Sequence, residues 1–256
     1  MKRLLIILTL FAIQASAFQL NFPQDTIAYN DKFNNRQSIA FDSQGKLHVV
    51  YSGQMGTTST TREIYYVTDS ADGFSTRLIT TNSVDDNYPT LAVDKNDNIH
   101  VGYLGRDAGN LFQVQYSRQV NGIFTTPLFI TQGGLNKATP YCTIGRDSVM
   151  HFVYHTFPPA GTQNAYYRTY DLRDSILSTE LQLTAASVTG DFDAAVATDT
   201  AGYVHIVVKS GSASGGPLKY YSNRTGTLVE TPTGVTTDVD YPRVRVDKRN
   251  VVHILY

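Results

Sequence analysis

Apolar and polar residues alternate along most of this chain with the two-residue period of β-strands, and the alternation recurs about every fifty residues. Five segments, 38–51, 90–103, 141–154, 195–208 and 243–256, align without internal gaps. Each opens on a pair of residues flanking a single intervening one: Ile39/Phe41, Leu91/Val93, Cys142/Ile144, Val196/Thr198 and Val244/Val246. The intervening residue is Ala40, Ala92, Thr143, Ala197 or Arg245. The run that follows is apolar on both faces, as in Leu47, Val49 and Tyr51 against Val50. A strand apolar on both faces is a strand covered on both.

Other residues keep the same register. Five of the six histidines, His48, His100, His151, His205 and His253, form one column, spaced 52, 51, 54 and 48 residues apart. Six residues before them stand Asp42, Asp94, Asp199 and Asp247, with Gly145 in the third unit. Pro89, Pro140 and Pro242 lie eleven before, and a Tyr lies three after in every unit except that of Val208. A weaker column, Tyr66, Tyr116, Tyr167 and Tyr221, follows 18, 16, 16 and 16 residues beyond the histidines. A fourth apolar run then closes the first three units at 77–80, 127–131 and 180–184.

Each unit therefore reads as four short strands, A to D, and a repeat of this length and strand number is the blade of a β-propeller. The prediction is an all-β fold with four full blades and the start of a fifth, at 38–87, 88–138, 139–192, 193–239 and 240–256, forming an incomplete ring. Such a ring is expected of an N-terminal part of a longer chain, or of an arc of six to eight blades. Residues 18–37 form an N-terminal segment in which 24–31 is a candidate closing strand.

The start of the chain changes the expected compartment. Lys2 and Arg3, an apolar run from Leu4 to Ile13, and Ala15-Ser16-Ala17 have the layout of a signal peptide spanning 1–17. That run is shorter than the ~20 residues of a membrane span, and no later stretch qualifies. The expected product is secreted, periplasmic or at the cell surface. Without Lys2 and Arg3, the 21 basic residues fall to 19 against 22 acidic ones. No basic block invites nucleic acid. Cys142 is the single cysteine, so no internal disulfide is available.

The histidine column raises a metal question that geometry answers. Equivalent positions on successive blades stand several strand widths apart, whereas zinc needs its ligands within about 2–2.3 Å. The five histidines are read as structural, each bonded to a turn group such as the preceding Asp, because an unpaired buried polar group costs ~1–3 kcal/mol. The turns beginning at Asp42, Asp94 and Asp247 lack the spacing and terminal Glu of a calcium-binding hand and read as tight turns. No metal or cofactor is expected.

Function should lie where the repeat breaks. The lead-ins to strand A and the B-to-C loops share one face of a propeller. They carry the candidate binding residues Arg62, Asp86, Tyr88, Arg106, Asp107, His155, Asp191, Asp193, Lys209, Asp240 and Tyr241. Carboxylates, guanidinium groups and aromatic rings on one concave face suit a sugar ligand. No nucleophile elbow, phosphate loop or cysteine-pair metal motif is present, so no catalytic residue is assigned.

From Pro89 to Tyr103 the chain reads Pro-x-x-Ala-Val-Asp, then Ile-His-Val-x-Tyr, and this pattern resembles the sialidase-like superfamily of BNR-repeat propellers across 38–256. A trace of that family's Asp-box stands at Ser70-Ala71-Asp72-Gly73-Phe74, and a fainter one at Asn121-Gly122 with Phe124. The resemblance implies a secreted propeller that binds or scaffolds glycans or a cell-surface partner. The alternative it implies is a carbohydrate-active enzyme, either a sialidase-like glycoside hydrolase or a polysaccharide lyase acting through His and Tyr.

Overall fold

Strand B of each of the first four repeats, apolar on both faces, is almost wholly buried, whereas that of the fifth, at the edge of a two-stranded sheet, is half-exposed. The computed structural model describes residues 35–54, 61–158, 162–184, 191–211 and 215–256. The predicted leader at 1–17 and the candidate closing strand at 24–31 lie outside the described residues.

The first sheet runs β1 (Asn35–Phe41), β2 (Leu47–Gln54), β3 (Arg62–Ser70) and β4 (Gly73–Leu78) in antiparallel order. The second holds β5 (Asn87–Val93), β6 (Ile99–Arg106) and β7 (Phe112–Val120), with β8 (Ile123–Phe124) and β9 (Leu128–Phe129) both paired to β7. The third repeats that plan with β10 (Asn136–Ile144), β11 (Val149–Phe157) and β12 (Ala165–Asp171), and with β13 (Ile176–Leu177) and β14 (Leu181–Gln182) on β12. The fourth is β15 (Asp191–Thr198), β16 (Val204–Ser210), β17 (Leu218–Ser222) and β18 (Val229–Thr231). Then come β19 (Arg243–Val246) and β20 (Val252–Leu255). The sequence predicts one continuous outer strand per blade; in the second and third sheets that strand is broken into two short pieces.

The inner strands pack in succession, β1 on β5, β5 on β10, β10 on β15 and β15 on β19. The core lies between blades. Val50, Ile64 and Tyr66 meet Leu91, Val101 and Tyr103, and Val114 and Tyr116 meet Met150, Phe152 and Tyr154. Gly102 permits one close approach, since a Cβ there would lie 3.1 Å from Thr90 and 3.3 Å from Phe152. Ile39 and Phe41, which face away from the second sheet, are exposed. Among the described residues no closed ring forms.

Each A-to-B turn uses a left-handed residue at the same place: Gly45, Asp97, Ser148, Gly202 and Asn250, with φ between 62° and 89°. Gly, Asn and Asp tolerate that region best. The Asp opening the turn holds it, as Asp94 Oδ1 accepts the amides of Asn96 and Asn98 at 2.8 and 2.9 Å.

The other carboxylate oxygen meets the histidine. Nε2 of His48, His100, His205 and His253 lies 3.3, 3.4, 3.3 and 3.4 Å from Oδ2 of Asp42, Asp94, Asp199 and Asp247. Nδ1 of the first four histidines meets a tyrosine hydroxyl, on Tyr66, Tyr116, Tyr167 and Tyr220, at 2.6–2.7 Å. The fourth partner corrects the sequence register, which points to Tyr221. Tyr220 pairs with Val207 just as Tyr116 pairs with Gly102, while Tyr221 turns to Glu230. Burial lowers the pKa of His100 and His205, so the neutral imidazole donates from Nε2 to Asp and accepts at Nδ1 from Tyr. For His100 and His205 these contacts are therefore hydrogen bonds rather than ion pairs. His151, whose unit has Gly145 in place of the Asp, is pushed down furthest, to about 4, by burial.

Candidate functional site

The end of the blades opposite the Asp turns is built on a repeated backbone irregularity. Where each inner strand begins, one extra residue bulges against strand B: between Asn87 and Thr90, between Ala138 and Tyr141, and between Phe192 and Ala194. At this height Tyr88, Thr139, Asp193 and Tyr241 all take positive φ, at 52°, 37°, 38° and 48°. Such a conformation is strained for side chains of these types, and bulges of this kind re-aim the residues they carry. The bulge recurs on the second, third and fourth blades, but the side chains it delivers differ.

Two concavities share Tyr88 as a wall. One is the upper end of the central channel, a cavity of about 300 Å³ lined by Tyr88, Thr139, Tyr141, Asp193, Arg243 and Arg245 among others. Both arginines stand with their guanidinium carbons 5.6 Å from the Tyr141 ring. The other is a groove of about 480 Å³ that runs from the first blade to the third. Its chemistry comes from Arg62, Tyr88, Arg106, Phe112, Lys137 and Phe157.

The charges of the groove are held in different ways. Arg62 donates from Nε to Asp85 Oδ1 at 2.8 Å and from Nη2 to Oδ2, a two-point pair. Lys137 stands 3.5 Å from Glu180 and over the rings of Tyr154 and Tyr166. Arg106 has no carboxylate partner among the described residues. It donates to the Asn110 carbonyl at 2.8 Å and lies 4.0 Å over the Phe112 ring. No carboxylate lines the groove.

The structure thus brings Arg62, Tyr88 and Arg106 together and distributes the other predicted residues elsewhere. Asp86 lies buried beneath the groove wall. Asp107 closes its loop by accepting the Leu111 amide at 2.9 Å. His155 is buried, with Nδ1 2.8 Å from Thr139 Oγ1, and burial pushes its pKa down to about 4. Asp193 lines the channel. Lys209 and Asp240 pair at 2.8 Å. Tyr241 is exposed. The side chain of Asp191 lies outside the described residues. Phe112, Lys137, Phe157, Tyr141, Arg243 and Arg245 are missing from the sequence-based set. The bulge position, twelve residues before each histidine from the second unit on, is the signal that could have found Thr139. Among the described residues, no three of His, Cys, Asp or Glu converge as metal ligands, and no helix is long and apolar enough to cross a membrane.

No protein family and no curated protein sequence matches the chain. Solved structures do resemble it. A protein of unknown function from Dyadobacter fermentans superposes with a TM-score of 0.66 at 14% identity, over 89% of this chain and 76% of that one. A polysaccharide lyase of family PL25, an ulvan lyase bound to -[GlcA(1-4)Rha3S]-, does so with a TM-score of 0.58 at 11% identity, over 82% of this chain. Trypanosoma rangeli sialidase in complex with the inhibitor DANA gives 0.57 at 14% identity, over 87% of this chain. This chain spans 60% of the lyase and 44% of the sialidase. At these identities the likeness establishes the fold alone, a β-propeller.

Proposed function

We propose that the protein is a secreted propeller that binds saccharide chains along the groove from Arg62 to Phe157. The observation that carries this reading is the lining itself: three aromatic side chains and three cationic ones in one elongated groove. Aromatic rings stack against the apolar faces of sugars, and guanidinium and ammonium groups donate to sugar oxygens. Two of the three cations already have carboxylate partners, so Arg106 is the group free to select a negatively charged or strongly accepting substituent. The lyase and sialidase neighbours are bound to a polysaccharide repeat and an inhibitor respectively, which is in keeping with a sugar ligand on this fold.

The alternative, a carbohydrate-active enzyme, has less support at this groove. Glycoside hydrolysis generally uses two carboxyl groups about 5–9 Å apart around the bond to be cleaved, and the groove walls carry none. His155, the residue available to a lyase reading, is buried and bonded to Thr139.

The test is a glycan-binding screen with the full chain, set beside Arg106→Ala and Tyr88→Ala, with Lys95→Ala at the far end of the channel as control. Both groove variants should weaken binding at least about tenfold, the equivalent of 1.4 kcal/mol, with Lys95→Ala unchanged. Equal affinity in all four proteins, or product release by the wild type, would remove the binding reading.

A further inference from the structure

Two carboxyl groups lie buried directly behind the groove wall, and neither has a cationic partner among the described residues. Glu63 on β3 is 1% exposed and Asp86, leading into β5, is 0% exposed. Glu63 Oε2 accepts from Thr80 Oγ1 at 2.6 Å, and Asp86 Oδ2 accepts from Asn82 Nδ2 at 2.7 Å. Asp86 Oδ1 is buried with no hydrogen-bond partner. It packs against the backbone at Gly105, where a Cβ would lie only 2.7 Å away.

The second blade shows that the fold does not need an acid here. Val114 N bonds to Thr131 Oγ1 just as Ile64 N bonds to Thr80 Oγ1, and Thr131 then donates to Gln113 Oε1 at 2.8 Å. A neutral amide thus does structurally what Glu63 does. The position equivalent to Asp86 is Lys137, which has Glu180 beside it. Among the described residues, the first-to-second blade junction holds two buried acids without a cationic partner.

We infer that Glu63 and Asp86 form a proton-operated latch: protonated, the pair keeps segment 85–88 seated, and loss of the proton loosens that segment and the groove wall it forms. The segment is tied to the groove at each residue. Asp85 clamps Arg62, the Asp86 amide donates to the Arg62 carbonyl at 2.8 Å, Asn87 accepts from Ser52 Oγ at 2.9 Å, and Tyr88 is shared by both concavities. The titratable and polar groups facing the pair are Asp85 on the same segment, Tyr65 on β3, the buried Tyr103 phenol on β6, and Gln115 on β7. None supplies positive charge, and the nearby Arg62 guanidinium is committed to Asp85.

Burial, then the neighbouring Glu63 and Asp85 charges, raise Asp86 to about 7, against the hydrogen bond from Asn82. Burial likewise raises Glu63. The two titrate as a pair. A carboxyl raised in the folded state favours folding while it is protonated, and that contribution is lost as pH climbs from about 4 toward 7. The latch is therefore closed in mild acid and open above neutrality.

Hydrogen exchange of amides 85–88, corrected for intrinsic rates, tests this between pH 5.5 and 8.5. Wild-type protection should fall about tenfold or more, the effect of roughly one pKa unit of differential burial, while Asp86→Asn keeps the same protection at both pH values. Carboxyl ¹³C titration should show a carboxyl midpoint near neutrality that disappears in Asp86→Asn. Should that variant not fold, Glu63→Gln, which installs the amide the second blade already uses, should lower the midpoint. Equal pH responses in wild type and variant, or an ordinary carboxyl titration, would overturn the latch. Its effect on saccharide affinity rests on the proposed function. Absence of any saccharide binding would remove that reading and leave the exchange result to stand or fall separately.

Discussion

The Nδ1 atom of His100 lies 2.7 Å from the hydroxyl of Tyr116, with the two rings nearly parallel at 7°. The hydrogen bond links strand B to strand C of one blade, and Tyr116 in turn meets Phe152 of the next blade edge-on. One side chain therefore ties the inside of a sheet to the packing between sheets. Its recurrence on four blades explains why the histidine column is regular while the loops are not.

Replacing His100 by Ala should lower the melting temperature without changing groove affinity. The change opens a cavity and strands a buried phenol, an expected loss of about 2–4 kcal/mol. Thermal unfolding monitored by circular dichroism checks it, and a loss of binding at unchanged stability would contradict a structural role.

Gly145→Asp should stabilise the protein by about 1 kcal/mol, by supplying the acceptor that His151 lacks. A Cβ there would stand 3.3 Å from His151 Nε2, and the exposed Asp147 carboxylate in the way would give up the Val149 amide it accepts at 3.2 Å, a bond the new Asp can take over as Asp94 does in its turn. The His151 imidazole pKa, followed by NMR, should rise from about 4. No rise would mean that the new carboxylate fails to reach it.

The buried histidines set an acid limit on the fold. His151 is held at about 4 against an ordinary 6.5, so the unfolded chain binds the proton first as pH falls. Stability from this group is full above pH ~6.5 and declines by about 3 kcal/mol toward pH 4. Below that, the turn aspartates Asp94 and Asp199 contribute in the same direction. Burial opposes their ionisation, but turn amides and the histidine outweigh it, so both pKa values are lowered. Their contribution is present above ~3.9 and lost as pH falls through the folded values. Between pH 6.5 and 4 the raised Asp86 contributes the opposite slope in wild type and variant alike, so the check is the difference in urea midpoints: wild type should lose more stability toward pH 4 than a His151→Gln variant.

Cys142 should be inert to thiol reagents in the native protein. It is buried between the second and third blades, where burial pushes its thiol up to about 12. Labelling should follow the global unfolding rate; fast labelling of folded protein would show that these blades part on their own.

What the sequence determined by itself is whatever repeats along one strand. Alternation reports which face of a strand is covered, so the repeat length, the strand order within a blade and the Asp–His pairing were legible from spacing alone. Even here a one-residue slip mattered: two adjacent tyrosines, Tyr220 and Tyr221, look alike in the chain, and only strand pairing puts Tyr220 against His205. The groove was legible only in part. Arg62, Tyr88 and Arg106 stand out as irregular loop residues, but nothing in their spacing brings Lys137 and Phe157 of the third blade beside them, or sinks Asp86 out of reach of solvent. Distances between blades follow from how whole sheets pack and where each inner strand bulges, and those are properties of the assembled fold that no local period records.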